Sequence, residues 1–131
     1  MESEAYQAVL DDLKRRRIPP AVKDAVRAML DKQAQDVVVL KILGISDVTD
    51  YMVIGHGNGN RQNTAIVAEV RRRLRTVHRL KVAHVEGERL GEWILMDYFD
   101  FVVHVFSSEN RRKFALEKLW MDAKRYDFSV R

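Results

Sequence analysis

Four acids, Asp50, Glu86, Asp97 and Asp100, are the side chains of this sequence with the means to hold a divalent cation for phosphoryl or nucleotidyl transfer. That chemistry asks for two carboxylates two positions apart on a strand, so that both leave the same face. Asp97 and Asp100 are three apart, and Glu86 and Glu88 flank Gly87 in an expected loop. Acids that end two strands at a turn account for the same residues without a metal, because Asp is a common turn residue. His56, His78, His84 and His104 show no metal-ligand spacing on one element. His104 lies in an apolar run and reads as a hydrogen-bonded structural histidine. Serines at 3, 46, 107, 108 and 129 include no Gly-x-Ser-x-Gly elbow. The sequence therefore points away from an enzyme, with no catalytic residue, metal or cofactor expected.

Two features suit binding instead. The turn from Gly57 to Gln62 precedes a helix, whose free N–H groups and positive dipole end favour an anion. It lacks the Lys-Ser/Thr pair of a phosphate loop, and Gly55, Gly57 and Gly59 do not have dinucleotide-loop spacing, so a structural turn with local capping is the plainer reading. The second feature is Trp93. If Ile94 and Met96 face the core, strand alternation turns Trp93, Leu95 and Asp97 the other way. An outward indole bordered by carboxylates would anchor a protein interface. A strand covered on both faces would make the same Trp core, and the pattern alone leaves both readings open.

The elements that place these residues follow from periodicity. Tyr6, Val9, Leu10 and Leu13 recur at helical spacing, and Pro19-Pro20 ends that helix. A second helix is expected from about Pro20 to Ala34, with Val22, Val26, Met29 and Leu30 inward. Asp36 to Ile42 and Tyr51 to Ile54 read as strands, the first apolar enough to be covered on both faces. Asn60 can cap a helix reaching about Val77, with Ile66, Val70, Leu74 and Val77 buried. Leu80 to Val85 is a short third strand. Trp93 to Met96 and Phe101 to Phe106 are an antiparallel pair joined by the tight turn Asp97-Tyr98-Phe99-Asp100. Ser107 or Ser108 can cap a last helix carrying Leu116, Leu119 and Trp120 inward. The fold class is α/β, a five-stranded mixed sheet with flanking helices.

Totals narrow the setting. A chain of 131 residues fits one domain with a core of its own. With no cysteine there is no disulfide or thiolate site, which suits a reducing compartment, and the cytoplasm is the expected location. No run approaches the roughly 20 apolar residues of a membrane span, and the acidic start does not resemble a leader, so an unprocessed protein is expected. The net charge of +4 is unevenly placed: Arg61 to Val82 holds seven Lys/Arg and one acid, whereas Ala83 to Asn110 holds six acids and one Arg. Such a surface can meet a basic protein with one face and phosphate with another. Arg71, Arg72, Arg73 and Arg75 must mostly face outward, because one buried stripe cannot hold four unpaired guanidinium groups.

Asp50-Tyr51-Met52-Val53-Ile54, Gly57-Asn58-Gly59-Asn60-Arg61-Gln62, Glu86-Gly87, the stretch from Trp93 to Phe106 and Leu116 to Trp120 occur in an order that is similar to the Iojap family of ribosomal silencing factors. The resemblance runs from about Ala28 to Ala123. It implies a nucleotidyltransferase-like fold without the catalytic acids, and a non-enzymatic protein that docks on protein fourteen of the large ribosomal subunit and blocks subunit joining. The family's docking strand, Trp-x-Leu-x-Asp, falls on Trp93, Leu95 and Asp97, with Glu86, Tyr98 and Asp100 beside it as partner-binding residues. Arg71, Arg72, Arg73 and Arg75 would supply any contact with ribosomal RNA. Phe99 stands where the family's Asp-x-Gly-Asp turn has glycine, and a bulky residue is poor at positive φ. The resemblance also implies a homodimer when free, and it leaves residues 1–19 as an N-terminal helical extension of an α/β domain at 20–131. A metal-dependent nucleotidyltransferase-like enzyme is the alternative.

Overall fold

A computed structural model of the chain describes residues 3–130. The element order is α1 (Glu4–Arg15), α2 (Pro20–Asp31), β1 (Gln35–Lys41), β2 (Tyr51–Gly57), α3 (Asn60–His78), β3 (His84–Glu86), β4 (Trp93–Asp97), β5 (Phe101–Ser107), α4 (Ser108–Phe114), α5 (Leu116–Leu119) and β6 (Lys124–Asp127). The strands form one sheet in the order β3-β4-β5-β2-β1-β6. β2 and β5 run parallel, and the other neighbours are antiparallel. The parallel pair needs a long crossover, which α3 and the β3–β4 hairpin supply.

Burial explains why the central strands are apolar throughout. Val37, Val39, Val53, Ile94, Met96, Val103 and Val105 pack beneath α1, α2 and α3 in the larger core cluster. Val38, Leu40, Met52, Ile54 and Phe106 belong to a second cluster on the opposite face, with Leu116 and Trp120 packed against it. Leu13 of α1 and Ile18 after it are buried in the larger cluster, so the first helix is joined to the core of the domain. Its N-terminus is capped by Ser3, whose Oγ accepts the Tyr6 N–H at 3.0 Å.

The fold departs from the expected elements in five places. There are six strands, not five: β6 pairs with β1 at the sheet edge. The expected strand over Leu80 to Val85 is shorter and later, at His84–Glu86. The last helix is two helices, because Ala115 turns left-handed at φ 45 and ends α4. That break resets the helical phase, so Leu119 is exposed and Trp120 only half-buried. Val77 is exposed at the end of α3, where Val67 rather than Val77 joins Ile66, Val70 and Leu74 in the core. Gly59, not Asn60, occupies the cap of α3, and Asn60 is its first helical residue. Ser107 caps α4, its Oγ accepting the Asn110 N–H at 3.2 Å.

Candidate functional site

Alternation along β4 sends Trp93, Leu95 and Asp97 to the face opposite α1–α3, while Ile94 and Met96 are buried beneath the helices. Glu86 sits across from Leu95 on β3, and His84 across from Asp97. On β5 the same face carries Val102, His104 and Phe106, opposite Asp97, Leu95 and Trp93 respectively. α4 and α5 are the helices on this side, and Phe114 of α4 reaches Trp93 at the start of β4. Trp93, Leu95 and Asp97 are half-buried, and Glu86 is exposed.

Trp93 is neither free in solvent nor sealed in the core. Its ring stacks on Phe106 at a centroid distance of 4.8 Å and tilts against Phe114 of α4 at 4.6 Å. The indole N–H donates to Nδ1 of His104 at 3.1 Å. His104 is 4% exposed, and burial lowers its pKa to about 4, so it is neutral at physiological pH. A neutral imidazole that accepts at Nδ1 carries its proton on Nε2. Three side chains thus fix the orientation of an indole that stays partly exposed.

The turn after β4 sets the neighbouring acids. Asp97 Oδ1 accepts the Phe99 N–H at 2.8 Å, and the Asp100 N–H donates to the Tyr98 carbonyl at 2.9 Å. Phe99 has φ 69 and is 74% exposed. The left-handed backbone that a glycine would adopt freely is thus present with a bulky residue in it, at a cost of roughly 1–2 kcal/mol. Asp100 is exposed at the rim, close to Phe99. Tyr98 differs from the expectation that grouped it with the docking residues. It follows Met96 onto the helix-covered face, is buried, and stacks on Phe101 at 5.0 Å. Desolvation there pushes its hydroxyl up to about 12.

Two short motifs work as braces for this face. Gly87 has φ 83, and a Cβ placed on it would lie 1.9 Å from the Trp93 carbonyl oxygen. Only glycine lets the chain pass so close to the first residue of β4. In the other motif, Gln62 Oε1 accepts the Asn58 N–H at 2.7 Å, and its Nε2 donates to the carbonyls of Lys32 at 2.9 Å and Gln33 at 3.0 Å. Asn63, fully buried, donates from Nδ2 to the Gly91 carbonyl at 2.7 Å, tying α3 to the loop that enters β4. The turn from Gly57 to Gln62 thereby joins α2, α3 and the approach to Trp93.

The arginines of α3 are largely occupied within the chain. Arg71 pairs with Glu88 at 3.1 Å, Arg72 with Glu69 at 2.7 Å, and Arg73 with both Asp31 and Glu69. Arg75 is exposed and has no ion pair among the described residues. Sequence reasoning missed Phe114 and Arg111. Arg111 is buried beside the sheet, donating to Glu117 at 3.1 Å, the Gln35 carbonyl at 3.2 Å and His56 Nδ1 at 2.9 Å, which anchors α4 and hence Phe114. The cue was a cation three places before an aromatic in a short helix, too common a pattern to single out. Among the described residues no three of His, Asp and Glu gather closely enough to hold a metal ion.

The architecture is of the α/β class: one open mixed sheet, with α1, α2 and α3 on one face and Trp93, Leu95 and Asp97 on the other. The chain belongs to the family described as ribosomal silencing factor during starvation, whose model matches residues 15–131. It is 41% identical over 102 residues to the ribosomal silencing factor RsfS of Bacillus subtilis, covering 78% of this chain and 86% of that one. A mouse protein named mitochondrial assembly of ribosomal large subunit protein 1 is 28% identical over 119 residues, covering 79% of this chain and 51% of its own. The crystal structure of a Chromobacterium violaceum protein superposes with a TM-score of 0.76 at 28% identity, covering 88% of this chain and 95% of that one. No helix among the described residues is long and apolar enough to cross a membrane.

Proposed function

We propose that the protein is a translational silencer that docks on the large ribosomal subunit through its protein fourteen and keeps the small subunit from joining. The observation that carries this reading is the half-buried indole of Trp93, held by His104, Phe106 and Phe114 on an open sheet face edged by Glu86 and Asp97. An oriented aromatic holds a complex, and surrounding carboxylates speed encounter with a basic partner. Inhibition is steric: a 15.3 kDa body at a subunit bridge excludes the other subunit without chemistry. The names of the bacterial and mouse relatives support a ribosomal role and, for the mouse protein, a link to the large subunit.

The same reading places the protein in the cytoplasm, as a homodimer when free. Contact with ribosomal RNA falls chiefly to Arg75, which of Arg71, Arg72, Arg73 and Arg75 is the one with no ion pair among the described residues. The α/β unit proposed for residues 20–131 works together with α1, whose Leu13 packs in the same core. The nucleotidyltransferase-like reading would need carboxylates converging on one point, and Asp97 instead binds the backbone of its own turn. Co-sedimentation with purified large subunits tests the proposal: Trp93→Ala with Asp97→Ala should abolish it, and wild-type binding by that variant would refute the assigned face.

A further inference from the structure

Phe99 is a ring 74% exposed on a backbone conformation that penalises it, two unfavourable features in one residue. Beside it lies the loop between β1 and β2, which exposes Leu43, Ile45 and Val48. The two segments are tied together. Thr49 Oγ1 donates to the Phe99 carbonyl at 3.1 Å, and the N–H groups of Asp50 and Tyr51 donate to the Asp100 carbonyl at 3.1 and 3.2 Å. The loop that exposes Leu43, Ile45 and Val48 and the turn that exposes Phe99 therefore meet in a rim at one end of the sheet, joined by hydrogen bonds at Thr49, Asp50 and Tyr51. Neither Ile42 to Asp50 nor Glu92 to Phe101 contains a Lys or Arg, whereas Asp47, Asp50, Asp97 and Asp100 all fall there.

We propose that this rim is the second half of the docking surface, taking an apolar patch on the same basic ribosomal protein that Trp93 engages. The inference rests on the function proposed above for its partner, and adds Phe99, Val48, Leu43 and Ile45 to the contact. Continuity supports it: Asp97 ends the Trp93–Leu95–Asp97 stripe, and its carboxylate holds the Phe99 N–H, so stripe and rim meet at one hydrogen bond. Charge supports it too, since an acid-edged apolar rim on a chain of net charge +4 is complementary to a basic partner rather than to RNA. The strained turn keeps an aromatic at the rim where glycine would give a more relaxed backbone, the pattern of a residue retained for contact.

The test uses Phe99→Gly, Phe99→Asn and Val48→Ser beside Trp93→Ala, each measured for thermal midpoint, oligomeric state and affinity for purified large subunits. Phe99→Gly and Phe99→Asn relieve the backbone and so should melt higher than the parent chain, while binding large subunits about tenfold more weakly. Val48→Ser, which leaves the turn alone, should weaken binding in the same direction. Unchanged affinity in all three with loss in Trp93→Ala overturns the rim and leaves the proposed function standing. Unchanged affinity in Trp93→Ala as well refutes the proposed face itself. Dissociation of a free dimer with unaltered subunit affinity assigns the rim to a second copy of the chain and overturns the inference.

Discussion

The indole N–H of Trp93 and Nδ1 of His104 meet at 3.1 Å on the sheet face opposite α1–α3, with His104 two residues along β5 from Phe106, the direct partner of Trp93. The bond requires Nδ1 to be unprotonated, which couples the indole to the charge of a buried imidazole.

Acid should therefore loosen the proposed docking face. The pKa of His104 is lowered by burial from 6.5 to about 4, so the unfolded chain takes up this proton at a higher pH than the folded one. The stability linked to it is complete above pH 6.5 and is lost as pH falls toward 4, by about 3 kcal/mol at 1.36 kcal/mol per unit. Denaturant midpoints across that window, with NMR of the His104 ring, check the expectation. An imidazole that titrates near its ordinary value would contradict it.

Gly87→Ala should damage the same strand from the side. The added methyl would meet the Trp93 carbonyl at 1.9 Å, and φ 83 strains any L side chain. A loss of about 2 kcal/mol or more is expected, together with a shifted Trp emission spectrum. Equal stability and an unchanged spectrum would mean that the loop has no hold on β4.

Gln62→Ala removes the amide that joins Asn58 to the end of α2. Loss of these bonds should cost about 1–2 kcal/mol, read as a lower urea midpoint. Hydrogen exchange should quicken at Asn58 and its neighbours while the β2–β5 pair stays protected.

Arg73 and Arg75 should separate stability from RNA contact. Arg73 is mostly buried between Asp31 and Glu69, so Arg73→Ala should cost about 1–2 kcal/mol. Arg75→Ala should leave stability within about 0.5 kcal/mol and reduce the salt dependence of ribosome binding by about one unit of log–log slope. No change in that slope would remove Arg75 from the RNA contact.

Much of this was legible in the residues, and what was not has local causes. The strands β1, β2, β4 and β5 announce themselves by β-branched and aromatic runs, and alternation alone put Ile94 and Met96 on the opposite face from Trp93 and Leu95. β6 carries no such run: Lys124, Arg125 and Asp127 surround Tyr126, and an edge strand of four residues is specified by its pairing with β1 rather than by its own composition. The single left-handed residue Ala115 has no sequence signal as strong as glycine, which is why one helix was expected where two form. The state of Trp93 between core and surface depends on Phe114, which the chain brings back from α4, and no strand pattern carries that information. The bond from Thr49 to the Phe99 carbonyl likewise follows from the parallel pairing of β2 with β5, which begins at Tyr51 and Phe101.

The most direct measurement is the affinity of purified large ribosomal subunits for the parent chain and for the Trp93→Ala, Asp97→Ala variant, alongside subunit joining in the presence of each. Tight binding and blocked joining by the parent, both lost in the variant with its fold intact by circular dichroism, is the predicted result. A folded variant that still binds and still blocks joining would contradict the account.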